Sequence, residues 1–460
     1  MFDAIHWDSE LIRRYDQAGP RYTSYPTVAQ MHGGVGSFEL LHALRDSSRQ
    51  LRPLSLYVHL PFCAHACYYC TRNKVITKDR GRTQHYLRAL EQEMAILDHH
   101  LDRRQRVEQL HLGGGTPTFL SHDELRHLMS QLRQHFNLLN DDSGNYSIEV
   151  DPREADWSTM GLLRDLGFNR VSLGVQDLDP AVQRAVNRLQ TLEETRSIVE
   201  AAHTLQFRSV SIDLIYGLPK QTPQSFALTL DEIIALQPDR LSLFNYAHLP
   251  ERFTTQRRID SNDLPSPADK LAILQASVAQ LNAAGYRYIG MDHFALPDDE
   301  LAIAQEDGRL QRNFQGYSSH GHCDLIGLGV SAISQIGDLY CQNDSDLNQY
   351  QHTLTSGQLA TRYGLHCNAD DRVRRAVIQQ LICHFSLNFA EIEHAHGIQF
   401  RAYFADIWPQ LEQMALDDLV NLSAEGISVR PAGRLLVRSL CMLFDHYLDH
   451  GSRQHFAEVI

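Results

Sequence analysis

No stretch of this chain is apolar for long enough to cross a bilayer as a helix, and its opening lacks the charged, then apolar, then small-residue pattern of a secretion signal. Membrane insertion and export are therefore not expected. Positive charge is also in deficit: 42 lysines and arginines stand against 56 aspartates and glutamates, a net charge of -14 over 460 residues. Such a field repels nucleic acid unless a local basic patch overrides it, and the sequence has none. Cysteines number only eight, and five of them, Cys323, Cys341, Cys367, Cys383 and Cys441, are scattered singly. That scatter argues against a disulfide framework and for a reducing cytoplasm. The 25 histidines are dispersed too, so most are expected on the surface or satisfied in the interior.

The other three cysteines lie together in His59-Leu-Pro-Phe-Cys-Ala-His-Ala-Cys-Tyr-Tyr-Cys70, with the spacing C-x3-C-x2-C. Three thiolates suit a 4Fe-4S cluster, which takes one ligand per iron, and a set of three leaves one iron open to a substrate or cofactor. The competing reading is a zinc site completed by His59 or His65. Structural zinc sites usually draw on two separated ligand pairs, and no second C-x2-C pair accompanies this one.

From residue 54 to about 285, short β-branched or apolar runs alternate with longer helical patterns, the order expected of β-α units around a parallel sheet. The runs are 54–59, 107–112, 146–150, 170–176, 209–215 and 240–246. Ser121-His-Asp-Glu124 supplies a capping box at one helix start. Each strand ends in groups suited to chemistry or to close backbone approach: His59, Gly113 to Gly115, Glu149 with Asp151, Gln176 with Asp177, Asp213, and Asn245 with His248. A partial (β/α)6 TIM-like barrel, with the cysteine loop after its first strand, would gather all six tips around one cavity.

The turn Gly113-Gly-Gly-Thr-Pro-Thr118 lacks both the Lys-Ser/Thr pair of a P-loop and the G-x-G-x-x-G spacing of a dinucleotide fold. Following a strand and preceding a capped helix, it fits the amino or carboxylate end of an amino-acid-like cofactor.

Two regions flank the barrel. Residues 1–50 form an amino-terminal arm whose Gly19-Pro-Arg-Tyr-Thr-Ser-Tyr-Pro-Thr27 reads as ordered and extended. Residues 51–367 make the barrel and its extension. Residues 368–460 form a mostly helical, winged-helix-like domain, with helical patterns at 371–385 and 401–416, a hairpin at 419–429 and a last helix. That segment holds 8 basic against 12 acidic residues, so a cap over the barrel is expected rather than DNA binding.

With these residues in place, the chain resembles the oxygen-independent coproporphyrinogen III oxidases, radical S-adenosylmethionine (SAM) enzymes of haem biosynthesis, nearly end to end. The segments that carry the likeness include the 19–27 arm, Tyr57-Val-His-Leu-Pro-Phe-Cys63, Gly113 to Thr118, Ile148-Glu-Val-Asp-Pro-Arg-Glu154, Gly174-Val-Gln-Asp177, Ile212-Asp-Leu-Ile-Tyr-Gly-Leu-Pro219, Phe244-Asn-Tyr-Ala-His-Leu-Pro250, Gly290-Met-Asp-His-Phe294 and Asn313-Phe-Gln-Gly-Tyr317. The resemblance implies that Cys63, Cys67 and Cys70 hold a 4Fe-4S cluster chelated by one SAM, with a second SAM beside it. It assigns Tyr57, Tyr69, Gly114, Glu149 and Ile333 to the first SAM, and Gly115, Thr116, Gln176, Arg188, Asp213 and Ala247 to the second. It further implies a 5'-deoxyadenosyl radical mechanism that turns two propionates of coproporphyrinogen III into vinyl groups, giving protoporphyrinogen IX, with an unidentified one-electron donor. The motif set can be completed within one chain, so a monomer is expected. A haem-handling sister branch shares the cluster loop and is the alternative.

One position departs from the family pattern. The third cysteine is commonly followed two residues later by a fourth, whereas here Arg72 stands in that place. The resemblance ties the fourth cysteine to activity rather than to the cluster, so a paralogue with impaired turnover is a further alternative. Arg72 could pair with a SAM carboxylate or a substrate propionate, or point to solvent. Arg21, Arg312 and Lys74 are equally available cations, and the sequence does not single out a substrate contact among them.

Overall fold

The computed structural model describes residues 5–448, and the chain divides into two compact units. One comprises Met31–Ile273 and His322–His366; the other gathers Leu274–Gly321 with residues 5–30 and the part from Cys367 onward.

The first unit is built on a sheet whose six leading strands are β1 (Leu54–Leu60), β2 (Arg106–Gly114), β3 (Asn145–Val150), β4 (Arg170–Gln176), β5 (Ser209–Tyr216) and β6 (Arg240–Asn245). They lie side by side in chain order and all pair in parallel. Helices α1 (Gly81–Asp98), α2 (His122–His135), α3 (Trp157–Asp165), α4 (Leu192–Thr204) and α5 (Pro223–Ala235) provide the returns that parallel pairing requires. The α2 start carries the expected box: the Ser121 hydroxyl accepts from the Glu124 N–H, and the Glu124 carboxylate accepts from the Ser121 N–H.

Alternation along the strands separates core from cavity. In β4, Val171, Leu173 and Val175 are buried while Ser172, Gly174 and Gln176 take the other face. In β5, Val210, Ile212, Leu214 and Tyr216 are buried, which sends Asp213 to the opposite face.

The sheet does not stop at β1. Its free side pairs in parallel with β7 (Asp324–Leu328), and the sheet continues through β8 (Ile333–Ile336), β9 (Leu339–Asn343) and β10 (Thr361–His366) in antiparallel register. These four strands lie outside the six units expected from the sequence. The result is an open sheet, a partial barrel whose first strand, which leads into the cysteine loop, lies between two parallel neighbours.

In the second unit, helix Ala369–His384 starts at an Asn368–Asp371 capping box. Strands Ser386–Asn388, Gly426–Val429 and Val420–Leu422 make a small antiparallel wing, and helix Val437–Leu443 follows. The helix expected over 401–416 is interrupted. Phe400–Tyr403 ends in a 3-10 turn at Ala405–Ile407, and a new helix starts at Trp408. Pro409 has no N–H to return to Ala405, so the helix restarts with proline in its first turn. The 19–27 segment is non-helical, but it bends over 23–26 and takes a left-handed turn at Tyr22 (φ +46°) instead of running extended as expected. Tyr22 and Tyr25 are buried, the Tyr22 hydroxyl donates to Asp445 at 2.9 Å, and Arg438 donates to the Gly19 carbonyl at 2.9 Å.

Candidate active site

The cysteine loop leaves β1 through Pro61. Its short strand Phe62–Cys63 pairs with Val75–Ile76, and the Lys74 ammonium donates to the Cys70 carbonyl at 2.7 Å, which closes the loop on itself. The glycine turn after β2 packs against this base. Gly115 N–H donates to the Leu60 carbonyl and Thr116 N–H to the Phe62 carbonyl, both at 2.8 Å. A Cβ at Gly115 would sit 2.7 Å from the Phe62 oxygen and the Pro61 carbonyl, so only glycine permits the approach. Gly114 needs glycine for a second reason, its φ of +113°.

Two of the three thiols lie beside donors. The Thr116 hydroxyl donates to Cys63 Sγ at 3.7 Å, and Cys67 Sγ receives Arg188 Nη1 at 3.6 Å and Arg153 Nη2 at 3.9 Å. Burial pushes the Cys63 thiol up to about 11, with Thr116 only partly offsetting it. A bound metal supplies the positive charge that such buried sulfurs need to ionise. His59 does not complete a zinc set: its Nδ1 meets the Tyr57 hydroxyl and its Nε2 the Asn73 carbonyl, both at 3.0 Å. His65 pairs with Glu154 at 3.4 Å.

The remaining site residues fall into three groups. Tyr57 on β1 stacks on His111 of β2 with centroids 5.8 Å apart. His111 approaches the Glu149 carboxylate at 3.6 Å, and Arg72 pairs with that carboxylate while donating to the Gly114 carbonyl at 3.3 Å. Burial would raise the Glu149 carboxyl, but the Arg72 guanidinium and His111 outweigh it and hold it down to about 2. Ile333 stands one strand further out. Its carbonyl lies against Gly327, the residue paired with Tyr57.

In the second group, Gln176 and Arg188 converge on Gly174, where a Cβ would lie 3.0 Å from Gln176 Nε2 and 3.2 Å from Arg188 Nη2. Arg188 is buried and pairs with Asp151 at 3.3 Å. Burial raises the Asp151 carboxyl, yet Arg188 and Arg153 bring it to about 2. Asp213 on β5 behaves differently. Burial and the Glu149 charge push it up to about 6 against Arg72 and two serines, Ser242 and Ser172.

The third group is held by Gln256, whose amide donates at 3.2 Å both to the Tyr69 carbonyl in the cysteine loop and to the Ala247 carbonyl after β6. Of the strand-end residues, Asp177 does not join the site, and His248 pairs with the Tyr246 hydroxyl at 2.8 Å. Asp177 is buried against Gln221, Thr229 and the Asp179 N–H, where it fixes a loop.

His111, Arg153 and Gln256 were not singled out from the sequence. His111 stands two residues before Gly113, and strand period two puts both on one face, so a signal existed. Gln256 lies in a 3-10 segment, Thr254–Arg258, whose position no local pattern reveals.

Several buried groups here lack a protein partner: Arg188 Nε, Thr118 Oγ1 and Asn245 Oδ1. Together with the glycine cradle and the sulfur donors, they fit a thiolate-held cluster and a polar, amino-acid-like cofactor.

Fold and loop together define a radical SAM protein, and the Radical SAM superfamily model matches residues 57–233. The HemN C-terminal domain model matches residues 368–436. The chain is 71% identical over all 460 residues, covering both chains fully, to the oxygen-independent coproporphyrinogen III oxidase of Pseudomonas aeruginosa. It is 49% identical over 457 residues, 99% of each chain, to that of Escherichia coli. The solved coproporphyrinogen III oxidase (HemN) of E. coli superposes with a TM-score of 0.92 at 48% identity, over 97% of this chain and 100% of that one. The chain belongs to the oxygen-independent coproporphyrinogen III oxidase family. These relatives carry the oxidase name from end to end, which favours the oxidase over the haem-handling branch. The class uses a 4Fe-4S cluster and SAM.

Proposed function

We propose that this chain decarboxylates two propionate side chains of coproporphyrinogen III oxidatively and without oxygen, leaving the vinyl groups of protoporphyrinogen IX. The observation that carries this reading is the cysteine loop, held above β1 by the Gly115 approach and set beside Glu149, in a chain matched over its whole length by oxidases of that name. When bound, the cluster and SAM would supply one electron and the radical chemistry that takes a hydrogen atom from the substrate.

The chain's own residues prepare that event. Cys63, Cys67 and Cys70 hold the cluster, with Arg188 and Arg153 directing N–H donors to the Cys67 sulfur. Tyr57, Tyr69, Gly114, Glu149 and Ile333 receive one SAM, where the Glu149 carboxylate accepts from hydroxyl or ammonium groups. Gly115, Thr116, Gln176, Arg188, Asp213 and Ala247 receive the second. Asp213, at about 6, is still ionised at neutral pH and able to accept there too. Gln256 keeps the Tyr69 and Ala247 loops together, and a closed cavity keeps out adventitious hydrogen donors that would quench a radical.

The electron donor is a separate, unidentified protein or small reductant, the working form is a monomer, and the compartment is the cytoplasm. Among the described residues no helix is long and apolar enough to cross a membrane. Nucleic acid and membrane are not partners in this reading.

The test is anaerobic reconstitution with iron, sulfide, reductant and SAM, followed by addition of coproporphyrinogen III. Vinyl products and 5'-deoxyadenosine are expected together. Cofactor cleavage with no porphyrinogen product would overturn the substrate while leaving the enzyme class.

A further inference from the structure

The end of the sheet opposite the cysteine loop carries a second set of metal-ligating side chains that the chemistry above does not use. The β1–β2 register slips between Leu54 and Ser55: Leu54 pairs with Val107 but Ser55 with Gln109, which leaves Glu108 as the extra residue of a bulge. Bulges of this kind re-aim a side chain at the rim of a sheet. On the other side of β1, Leu54 pairs with Asp324, and the residues just before β7 are His322 and Cys323. The three side chains therefore meet from the two strands that flank β1.

One carboxylate oxygen organises them. Glu108 Oε1 accepts from Arg106 at 3.3 Å, whereas Oε2 lies 2.7 Å from His322 Nε2 and 3.9 Å from Cys323 Sγ. All three ligand atoms fall within 4.8 Å of one another. Asp324 is committed elsewhere, to Arg52 at 3.2 Å. We propose that Glu108, His322 and Cys323 bind a zinc-like divalent cation, which staples β2 to β7 across the foot of β1.

The donor set argues for that ion. One thiolate, one imidazole nitrogen and one carboxylate oxygen suit a borderline-soft metal rather than magnesium or calcium. A tetrahedral ion with bonds of about 2.0 Å to N and O and about 2.3 Å to S holds its ligands roughly 3.3–3.5 Å apart. The Sγ to Oε2 separation needs to close a little and the Nε2 to Oε2 pair to open a little. His322, more than half exposed, gives the ion a path from solvent. Water takes the fourth position.

Cluster-loaded protein would be incubated anaerobically with a slight excess of zinc sulfate, freed of loose metal on a gel-filtration column, and assayed for zinc and iron. The expected result is one zinc per chain with iron unchanged, a zinc absorption-edge spectrum with a single sulfur scatterer, and at least tenfold weaker zinc retention in each of His322→Ala, Cys323→Ser and Glu108→Gln. Zinc should also raise the unfolding temperature of the parent protein and not that of the variants. No retained zinc would reduce the triad to a hydrogen-bonded surface cluster and overturn the proposal. So would equal retention by the three variants, zinc gained only as iron is lost, or a zinc spectrum with three or four sulfurs. The edge spectrum of the parent protein decides the matter even if a variant fails to fold.

Discussion

Arg72 reaches from the end of the cysteine loop to the carboxylate of Glu149 at the end of β3, and the same guanidinium holds the Gly114 carbonyl. The side chain is half exposed, so the pair is wetted rather than sealed, and its strength is discounted accordingly. It nevertheless occupies the carboxylate that the first SAM is proposed to use. Arg72→Cys frees Glu149 and should tighten SAM binding to cluster-loaded protein by about tenfold, or about 1.4 kcal/mol. Anaerobic calorimetry measures this directly. Unchanged or weaker binding would mean that the guanidinium receives the cofactor instead of competing with it.

Each of Cys63→Ser, Cys67→Ser and Cys70→Ser should lose most of its iron and sulfide after reconstitution, because each removes one of the three proposed thiolate ligands. Cys383→Ser, in helix Ala369–His384, should retain the full complement. Iron and sulfide assays on desalted protein distinguish the two outcomes. Full iron in any of the first three would displace that cysteine from the ligand set.

Gly115→Ala places a methyl group against main-chain atoms of Pro61 and Phe62 that have no room to yield. A loss of about 1–3 kcal/mol in stability is expected. Because the same main chain carries the cluster loop, iron retention should fall as well. Denaturant titration with parallel iron analysis checks both, and a neutral substitution would refute the tight approach.

Glu93 of α1 is buried and accepts from the Tyr350 hydroxyl at 2.6 Å, the Gly329 N–H at 2.8 Å and the Asn343 amide at 2.6 Å. Burial raises its carboxyl to about 6 despite those donors. The folded state therefore holds this proton more tightly than the unfolded chain. The associated stability is fully present below about 4.5 and is lost as pH rises to about 6, an amount of about 2 kcal/mol. Glu93→Gln removes the titration. The stability difference between parent and variant should change by about that amount between pH 4.5 and 6 and stay flat above it, as read by denaturant melts across the range.

The six leading strands were legible in the sequence because each is a compact apolar run bounded by polar turns; the 170–176 run coincides with β4 residue for residue. Strands β7 to β10 were not legible. They are four to six residues long, and β7 owes its strand state to pairing with β1, a partner distant in the chain that no local pattern encodes. Pro409 did announce the break in the 401–416 helix, but the apolar periodicity on either side masked it. At the candidate site, the cysteines and strand tips could be picked out by residue type and spacing. The partner of Arg72 did not, since a guanidinium on a loop has a long reach and its choice of carboxylate depends on the folded geometry. The same holds for Gln256, whose amide links two loops that meet only in space.

Tyr57 lies opposite His111 on one side and Gly327 on the other. During synthesis, the platform beneath the cysteine loop therefore stays half-built until residue 328 has left the ribosome. A cluster delivered earlier would meet a strand with one flank bare to water, so iron–sulfur loading belongs after release of nearly three-quarters of the polypeptide and not alongside emergence of the cysteines themselves.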